Sequence, residues 1–290
     1  LPIYLRTSNP QNNMSAFVSV KDQKSGKTIL GAEDGVNQSY CDLLFYVDAT
    51  PGSSIDDPER PSIPDEGDKE EPKPDEDENV TGTLAFEDIW PSGGDYDMND
   101  VIVEYERKVY FDKKNIVTKI VDEFTPVHDG ATYVNAFAYQ IDAAQIGDKI
   151  TLPEGAILEK ETSSIIVMSN AKQNIGNKYV VTREFNGSFL KNQLLSYNPY
   201  IIVKYSQGEQ NRTEVHLPKH KATAYANQSL IGSNDDAYYI DRKGAYPFAI
   251  DIPMLGFTPV TERNRIDSQY PGFATWAKSM GNDCKDWYKK

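Results

Sequence analysis

Cysteine is nearly missing from this chain: Cys41 and Cys284 are the only two in 290 residues. Two thiols cannot build the disulfide framework of a small secreted scaffold, although they could pair with each other in an oxidising compartment. Histidine is almost as rare, with three residues. His216 and His220 have the i, i+4 spacing of a zinc-binding helix, but Pro218 lies between them and forbids a helix interior. With no cysteine beside them, zinc is not expected. Positive charge is also short. There are 30 Lys and Arg against 44 Asp and Glu, a net charge of −14, which argues against nucleic acid or an anionic membrane as partner, since both need clustered cations. No apolar run approaches the roughly 18 residues that span a bilayer. Nor is there a Ser-His-Asp order with supporting context, a phosphate loop or a redox motif. The chain opens on Leu1 and not on Met, so any signal peptide or lipid anchor is expected to lie ahead of it.

Aromatic residues are plentiful. Eighteen Tyr and a hydrophobic share of 39% suffice for a core, and the length makes two domains the expectation. From residue 80 onward the pattern has period two and is rich in β-branched and aromatic residues. Val101–Phe111 and Ile116–Phe124 flank Asp112-Lys113-Lys114-Asn115 and predict a hairpin. Further strands are predicted at Tyr133–Ile141, Ser164–Met168, Tyr179–Thr182, Tyr200–Tyr205, Thr213–Leu217 and Phe248–Ile252. Many short strands at such spacing predict a mainly β protein, with a β-sandwich or jelly-roll-like large domain over residues 80–290. Near the end, Tyr270, Phe273, Ala274, Trp276, Ala277 and Met280 have helical spacing before Gly281, which predicts a short terminal helix on the sandwich edge.

The chain is organised around Thr83–Tyr105. An apolar run enters this stretch, the alternating run Val101–Tyr105 leaves it, and a Pro-Ser-Gly-Gly turn sits between them. Glu87, Asp88, Asp95, Asp97, Asn99 and Asp100 put six oxygen-bearing side chains into fourteen residues. On one loop between two strands these groups repel one another unless they are solvated or bind a cation, and hard oxygen donors of this kind suit Ca²⁺. The plainer alternative is that Asp and Asn cap turns by accepting backbone hydrogen bonds. Asp95, Asp97 and Asn99 occupy the first, third and fifth places of an EF-hand loop, and Glu106 falls at the twelfth. However, the sixth place is Asp100 where that loop needs Gly, and a strand from Val101 would carry Glu106 roughly 20 Å beyond Asp100. The loop is therefore not an EF-hand.

The first fifty residues repeat the theme. Ala16–Val20 and Lys27–Leu30 predict short strands. Glu33-Asp34 and Asp42 before Leu-Leu-Phe then match Glu87-Asp88 and Asp100 before Val-Ile-Val. Seven residues lie between Asp34 and Asp42 against eleven between Asp88 and Asp100, and Ser39 and Cys41 stand near the places of Asp97 and Asn99. An ion in this first copy is expected to be weaker or absent. Residues 1–50 thus predict the C-terminal part of an N-terminal β module. Residues 51–79 carry five prolines after Pro51 and twelve acids against three bases, and predict an extended acidic linker.

Elsewhere, Asn234-Asp235-Asp236 predicts a turn. Tyr238, Tyr239 and Tyr246 could line a sugar platform, but aromatics at strand spacing more often fill a core. Carboxylates are abundant, yet glycosidase chemistry needs two facing each other across a cleft, and spacing alone does not supply that.

Several pieces occur in a fixed order. They are Phe86-Glu87-Asp88-Ile89-Trp90-Pro91, Gly93-Gly94-Asp95-Tyr96-Asp97-Met98-Asn99-Asp100, Gly130-Ala131-Thr132-Tyr133-Val134-Asn135-Ala136-Phe137, His216-Leu217-Pro218, Pro247-Phe248-Ala249-Ile250-Asp251-Ile252-Pro253, Tyr270-Pro271-Gly272-Phe273 and Asp286-Trp287-Tyr288. Together they resemble the LruC domain of bacterial surface lipoproteins and secreted proteins over about residues 80–290. Residues 1–50 resemble the end of a companion β-domain. The resemblance implies export to the bacterial cell envelope, as an outer-membrane lipoprotein or a secreted protein, and no enzymatic activity. The resulting expectation is a non-catalytic binding or adhesion protein for a glycan or a host or envelope protein, with a calcium-stabilised acidic loop. A carbohydrate-active enzyme or its accessory module, and a structural envelope component, remain alternatives.

Overall fold

The computed structural model describes residues 17–22, 28–32, 43–47, 62–63, 75–187 and 189–289. Leu1–Lys73 and Pro74–Lys290 form two separate compact units. In the first unit β1 (Phe17–Asp22), β2 (Thr28–Ala32), β3 (Leu43–Val47) and β4 (Ser62–Ile63) make a four-stranded sheet in the order β3-β2-β1-β4. It is antiparallel except for the short parallel pairing of β4 with β1.

Two elements fall within the stretch 51–79. One is β4, and the other is the opening of β5 (Asp75–Phe86), the first strand of the second unit. The remainder of that stretch lies outside the described residues, as do Cys41 and the first-copy positions Glu33, Asp34, Ser39 and Asp42. The strands flanking that copy are described, and they show the repeat in backbone register. Ala32 pairs with Leu43 across β2 and β3, as Phe86 pairs with Val101 across β5 and β6 (Val101–Phe111).

The second unit is a two-sheet β-sandwich. After β6 come β7 (Val117–His128), β8 (Ala136–Gln140), β9 (Lys149–Thr151), β10 (Ile157–Glu159), β11 (Ser164–Met168), β12 (Tyr179–Glu184), β13 (Asn198–Val203), β14 (Thr213–His216) and β15 (Ala249–Ile252). One sheet runs β15-β5-β6-β7-β12-β9 and the other β10-β11-β8-β13-β14, with antiparallel pairing throughout. The alternation along β6 and β7 sends every second side chain inward, as a half-buried sheet requires. Leu84, Val103 and Phe124 of the first sheet meet Phe137, Tyr139, Ile165, Ile201 and Val215 of the second in one apolar core. The alternate residues of the second sheet, among them Ala136, Ala138, Ile166, Tyr200 and Ile202, form a separate cluster on its other face. For this reason β11 and β13 are buried along their whole length.

The helical spacing near the end is realised only in part. Pro271-Gly272 separates α1 (Ile266–Gln269) from α2 (Phe273–Lys278), and α2 buries Phe273 and Ala277. His216 belongs to the sheet's polar network. Its Nδ1 lies 2.8 Å from Asn198 Oδ1 and its Nε2 2.9 Å from Glu214 Oε2, with its ring stacked on Tyr200. Tyr239 and Tyr246 are core residues and Tyr238 is half exposed, so the three do not make a platform. The Cys284 thiol is free and exposed. Among the described residues no helix is long and apolar enough to cross a membrane.

Candidate metal centre

The acidic loop joins β5 to β6, the second and third strands of the six-stranded sheet, and its backbone fixes which way its carboxylates face. Tyr96 and Met98 both have left-handed φ angles, 55° and 54°. Such angles cost a non-glycine residue of order 1–2 kcal/mol. Their side chains offset that cost by burial: Met98 is fully enclosed, and Tyr96 packs against Tyr246 and Phe248. With these two turned into the core, Asp95, Asp97 and Asn99 alternate with them along the loop. Trp90 anchors the other side by donating from Nε1 to Asp236 Oδ1 at 2.8 Å. The segment before α1 closes over the loop. Ile266 N–H donates to Tyr96 O, Arg263 N–H to Asp97 Oδ2 and Asn99 Nδ2 to Val260 O, at 2.8, 2.9 and 3.0 Å.

The six expected residues do not converge on one point. Glu87, Asp95 and Asp97 each place a carboxylate oxygen within 4.8 Å of the other two. Two ligands of one calcium ion, each about 2.3–2.6 Å from it, can stand at most about 5 Å apart, so this spacing fits a shared cation. Glu87 has no exposed surface, and its Oε1 accepts from Met98 N–H at 2.6 Å. Among the described residues its Oε2 has no hydrogen-bond partner. A side chain at position 94 would put Cβ 2.8 Å from that oxygen, so Gly94 keeps the approach open. Burial pushes the Glu87 carboxyl well above the usual carboxylate range, and the charge on Asp100 pushes the same way. Burial likewise lifts Asp97 to about 6 although it accepts from Arg263.

Asp88 and Asp100 form a second group. Asp88 N–H donates to Asp100 Oδ2 at 2.8 Å, and Asn135 Nδ2 donates to Asp88 Oδ2 at 2.8 Å. Burial raises both carboxyls, Asp100 to about 7. Asn99 stands between the groups with its Oδ1 buried and unpartnered. Glu106 takes no part: it faces Asn79 and Lys108 at 2.7 and 3.2 Å along β6.

Asp129 was not anticipated from the sequence. Ile102 pairs with His128, so the turn that follows β7 lies beside Asp100: Gly130 N–H donates to Asn99 O at 3.0 Å and Ala131 N–H to Asp100 O at 3.4 Å. The Asp129 side chain is fully buried, and burial lifts its carboxyl to about 6. A signal was there to be read, since the predicted hairpin returns its second strand toward the acidic loop and the turn-prone Asp129-Gly130 lies a few residues beyond that strand's predicted end. Nine buried side-chain polar atoms lack a hydrogen-bond partner among the described residues. Four belong to this region, on Glu87, Tyr96, Asn99 and Asp129. Such concentration is unusual, because buried polar groups are nearly always paired.

A two-sheet β-sandwich with an acidic cation-type cluster on its β5–β6 hairpin is thus the class of protein the fold defines. The chain matches the family model described as Domain of unknown function (DUF4842) over residues 115–288, more than half its length, and belongs to that family. Its fold is shared by a candidate lipoprotein from Bacteroides ovatus, known from a crystal structure at 2.08 Å. That likeness has a TM-score of 0.56 and 19% identity over 73% of this chain and 74% of the other. Among curated proteins none matches.

Proposed function

We propose that this is a non-catalytic, exported protein of the bacterial cell envelope that serves in binding or adhesion, and that a calcium ion stiffens the hairpin end of its sandwich. The observation that carries the cation is Glu87: its Oε2 is fully buried and without a donor among the described residues, and a carboxylate oxygen of this residue lies within 4.8 Å of oxygens of Asp95 and Asp97. Calcium supplies what those oxygens lack, and loop carbonyls or water complete its six to eight ligands. The likeness in fold to a candidate lipoprotein and the LruC resemblance of residues 80–290 support the envelope reading. For a binding role in place of catalysis, the support is that Glu87, Asp97 and Asp100, the raised carboxyls of the acidic loop, are each tied to a backbone donor. The two largest surface cavities among the described residues, of about 550 and 350 Å³, are lined by none of the acidic-loop residues.

Melting the full chain in excess calcium and in chelator tests the cation. Calcium at about 100 times its dissociation constant stabilises the fold by about 2.7 kcal/mol. At about 2–4 °C per kcal/mol for a domain of this size, the melting point should rise by about 5–10 °C. Magnesium should do less, because it needs a tighter octahedron and sheds water reluctantly. Identical curves would leave the carboxylates as turn caps. Incubation with a polysaccharide panel tests the role: saturable binding without turnover is expected, and turnover would make this an enzyme.

A further inference from the structure

Away from the acidic-loop residues, two adjoining cavities of about 290 and 280 Å³ meet at Leu217, His220 and Asp251. The inner one lies between the sheets, lined by Tyr105 and Arg107 of β6 and Pro199 of β13. The outer one follows the edge strand β15 past Ile250 to Trp276 of α2 and Met280 just beyond it. Pockets for small ligands start at roughly 300 Å³, so the joined cleft is large enough for one. Asp251 stands at the junction. It is open to solvent, yet protein surrounds it closely enough for burial to raise its carboxyl above the usual range, as for a group lying in a recess. Its hydrogen-bond partner among the described residues is Tyr105, whose Oη lies 3.0 and 3.2 Å from the two carboxylate oxygens. One hydroxyl proton cannot serve both, so the carboxylate keeps acceptor capacity for a ligand. Gly82 makes room for this contact, since a Cβ there would lie 2.6 Å from the Tyr105 hydroxyl oxygen.

Resting on the reading of this chain as a binding protein, we propose that the cleft takes a neutral saccharide, with a sugar hydroxyl donating to Asp251 and an apolar sugar face lying on Trp276. The walls set the chemistry of the ligand. Ile250, Trp276 and Met280 offer the outer cavity apolar surface, and a pyranose ring has an apolar C–H face with hydroxyl donors at its rim. Trp276 is half-buried: its indole packs on Phe273 and Trp287, and the rest of it is accessible. Charge decides against ionic ligands. Asp251 repels an anion. A cation meets Lys219 in the outer cavity and Arg107 in the inner one. Arg107 is itself engaged, with Nε 3.2 Å from Asp122 Oδ1 and its guanidinium 4.2 Å from the Tyr197 ring centre. A wholly apolar ligand would strip water from Asp251 and give nothing back. A neutral body that carries hydroxyl donors avoids all three penalties.

Titration of the full chain with neutral glucan, mannan, xylan and chitin oligosaccharides tests this, read by calorimetry and by tryptophan emission. Trp90 and Trp287 are buried, so a ligand in the cleft should change the emission of Trp276. Saturable binding of at least one oligosaccharide is expected, with little dependence on salt. Asp251→Asn, which keeps an acceptor for Tyr105, should weaken it about tenfold or more, as loss of a hydrogen bond to a charged group warrants. Trp276→Leu, which keeps apolar packing on Phe273, should weaken it severalfold and abolish the emission change. An affinity unchanged in both variants would overturn the cleft and leave a binding role standing elsewhere on the chain. Turnover that both variants lose would keep the cleft as the saccharide site and sink the non-catalytic reading instead. Chitosan bound more tightly than chitin oligosaccharides, through Asp251, would overturn the neutral ligand in favour of a cationic one. No binding by any of these probes would overturn the saccharide assignment. Should Trp276→Leu fail to fold, Asp251→Asn, at a solvent-open side chain, still decides the matter.

Discussion

At the scale of single residues, Glu87 carries most of the chemistry. Its side chain spends one oxygen on Met98 N–H and leaves the other without a partner in a fully buried place. A charge held there without compensation destabilises the metal-free chain. Glu87→Gln keeps Oε1 for Met98 and replaces the orphaned oxygen with a donor that can reach Asp95 or Asp97. In chelator this variant should be more stable than the wild type by about 1–2 kcal/mol, as a hydrogen bond to a charged group warrants. That corresponds to a rise in melting point of about 2–8 °C, and the further gain from calcium should fall by more than half. Thermal melts of both proteins with and without calcium check this. A lower melting point for the variant in chelator would mean that Glu87 is already compensated as it stands.

Among the elements, the hairpins were the most legible part of the sequence. Val101–Phe111 was read to its ends because one face is buried and the period is strict. The turn at Asp112 was readable because Asp112 Oδ1 accepts from Lys114 and Ile116 N–H at 2.8 and 2.9 Å, the local bonding that Asp favours. Short strands such as β9 and β10, three residues each, left no period to detect. The acidic loop was recognised, but its division into two groups was not. That division depends on Val260, Arg263 and Asn135, which lie far along the chain and reach the loop only through the fold. Asp236 is of the same kind. It was read as part of a turn, yet its carboxylate accepts from Trp90 Nε1, Gly232 N–H and Tyr239 N–H at 2.8, 2.7 and 2.6 Å. Asp236→Ala should strand these donors and cost about 3–5 kcal/mol, at about 1–3 kcal/mol for each buried donor left unpaired with some relaxation. Chemical denaturation measures it, and a loss below about 1 kcal/mol would show that water replaces the carboxylate.

For the molecule as a whole, the gathered carboxyls make stability depend on pH in an uncommon direction. Asp97 and Asp129 are lifted by burial to about 6 and Asp100 to about 7, whereas an unfolded Asp titrates at about 4. Between those values the folded chain binds more protons than the unfolded one. Its stability therefore falls as pH rises through the window from about 4 to about 7, the reverse of a salt-bridged carboxylate. In chelator, lowering the pH from 7.5 to 5 should raise the melting point. Each pKa unit is worth about 1.4 kcal/mol, hence about 3–5 °C for this domain. Histidine ionisation opposes this over the same range, His128 in particular, because burial lowers its pKa. Asp100→Asn carries the same histidines, so the difference between wild type and variant isolates the carboxyl: the wild type should gain more on acidification by several degrees. With calcium bound, the cation offsets the loop charge that protons otherwise neutralise, and the acid gain should shrink or reverse as the ion is released. Wild type and Asp100→Asn with parallel pH profiles in chelator would show that Asp100 ionises normally in the folded chain. The acidic loop would then be held by its backbone bonds alone.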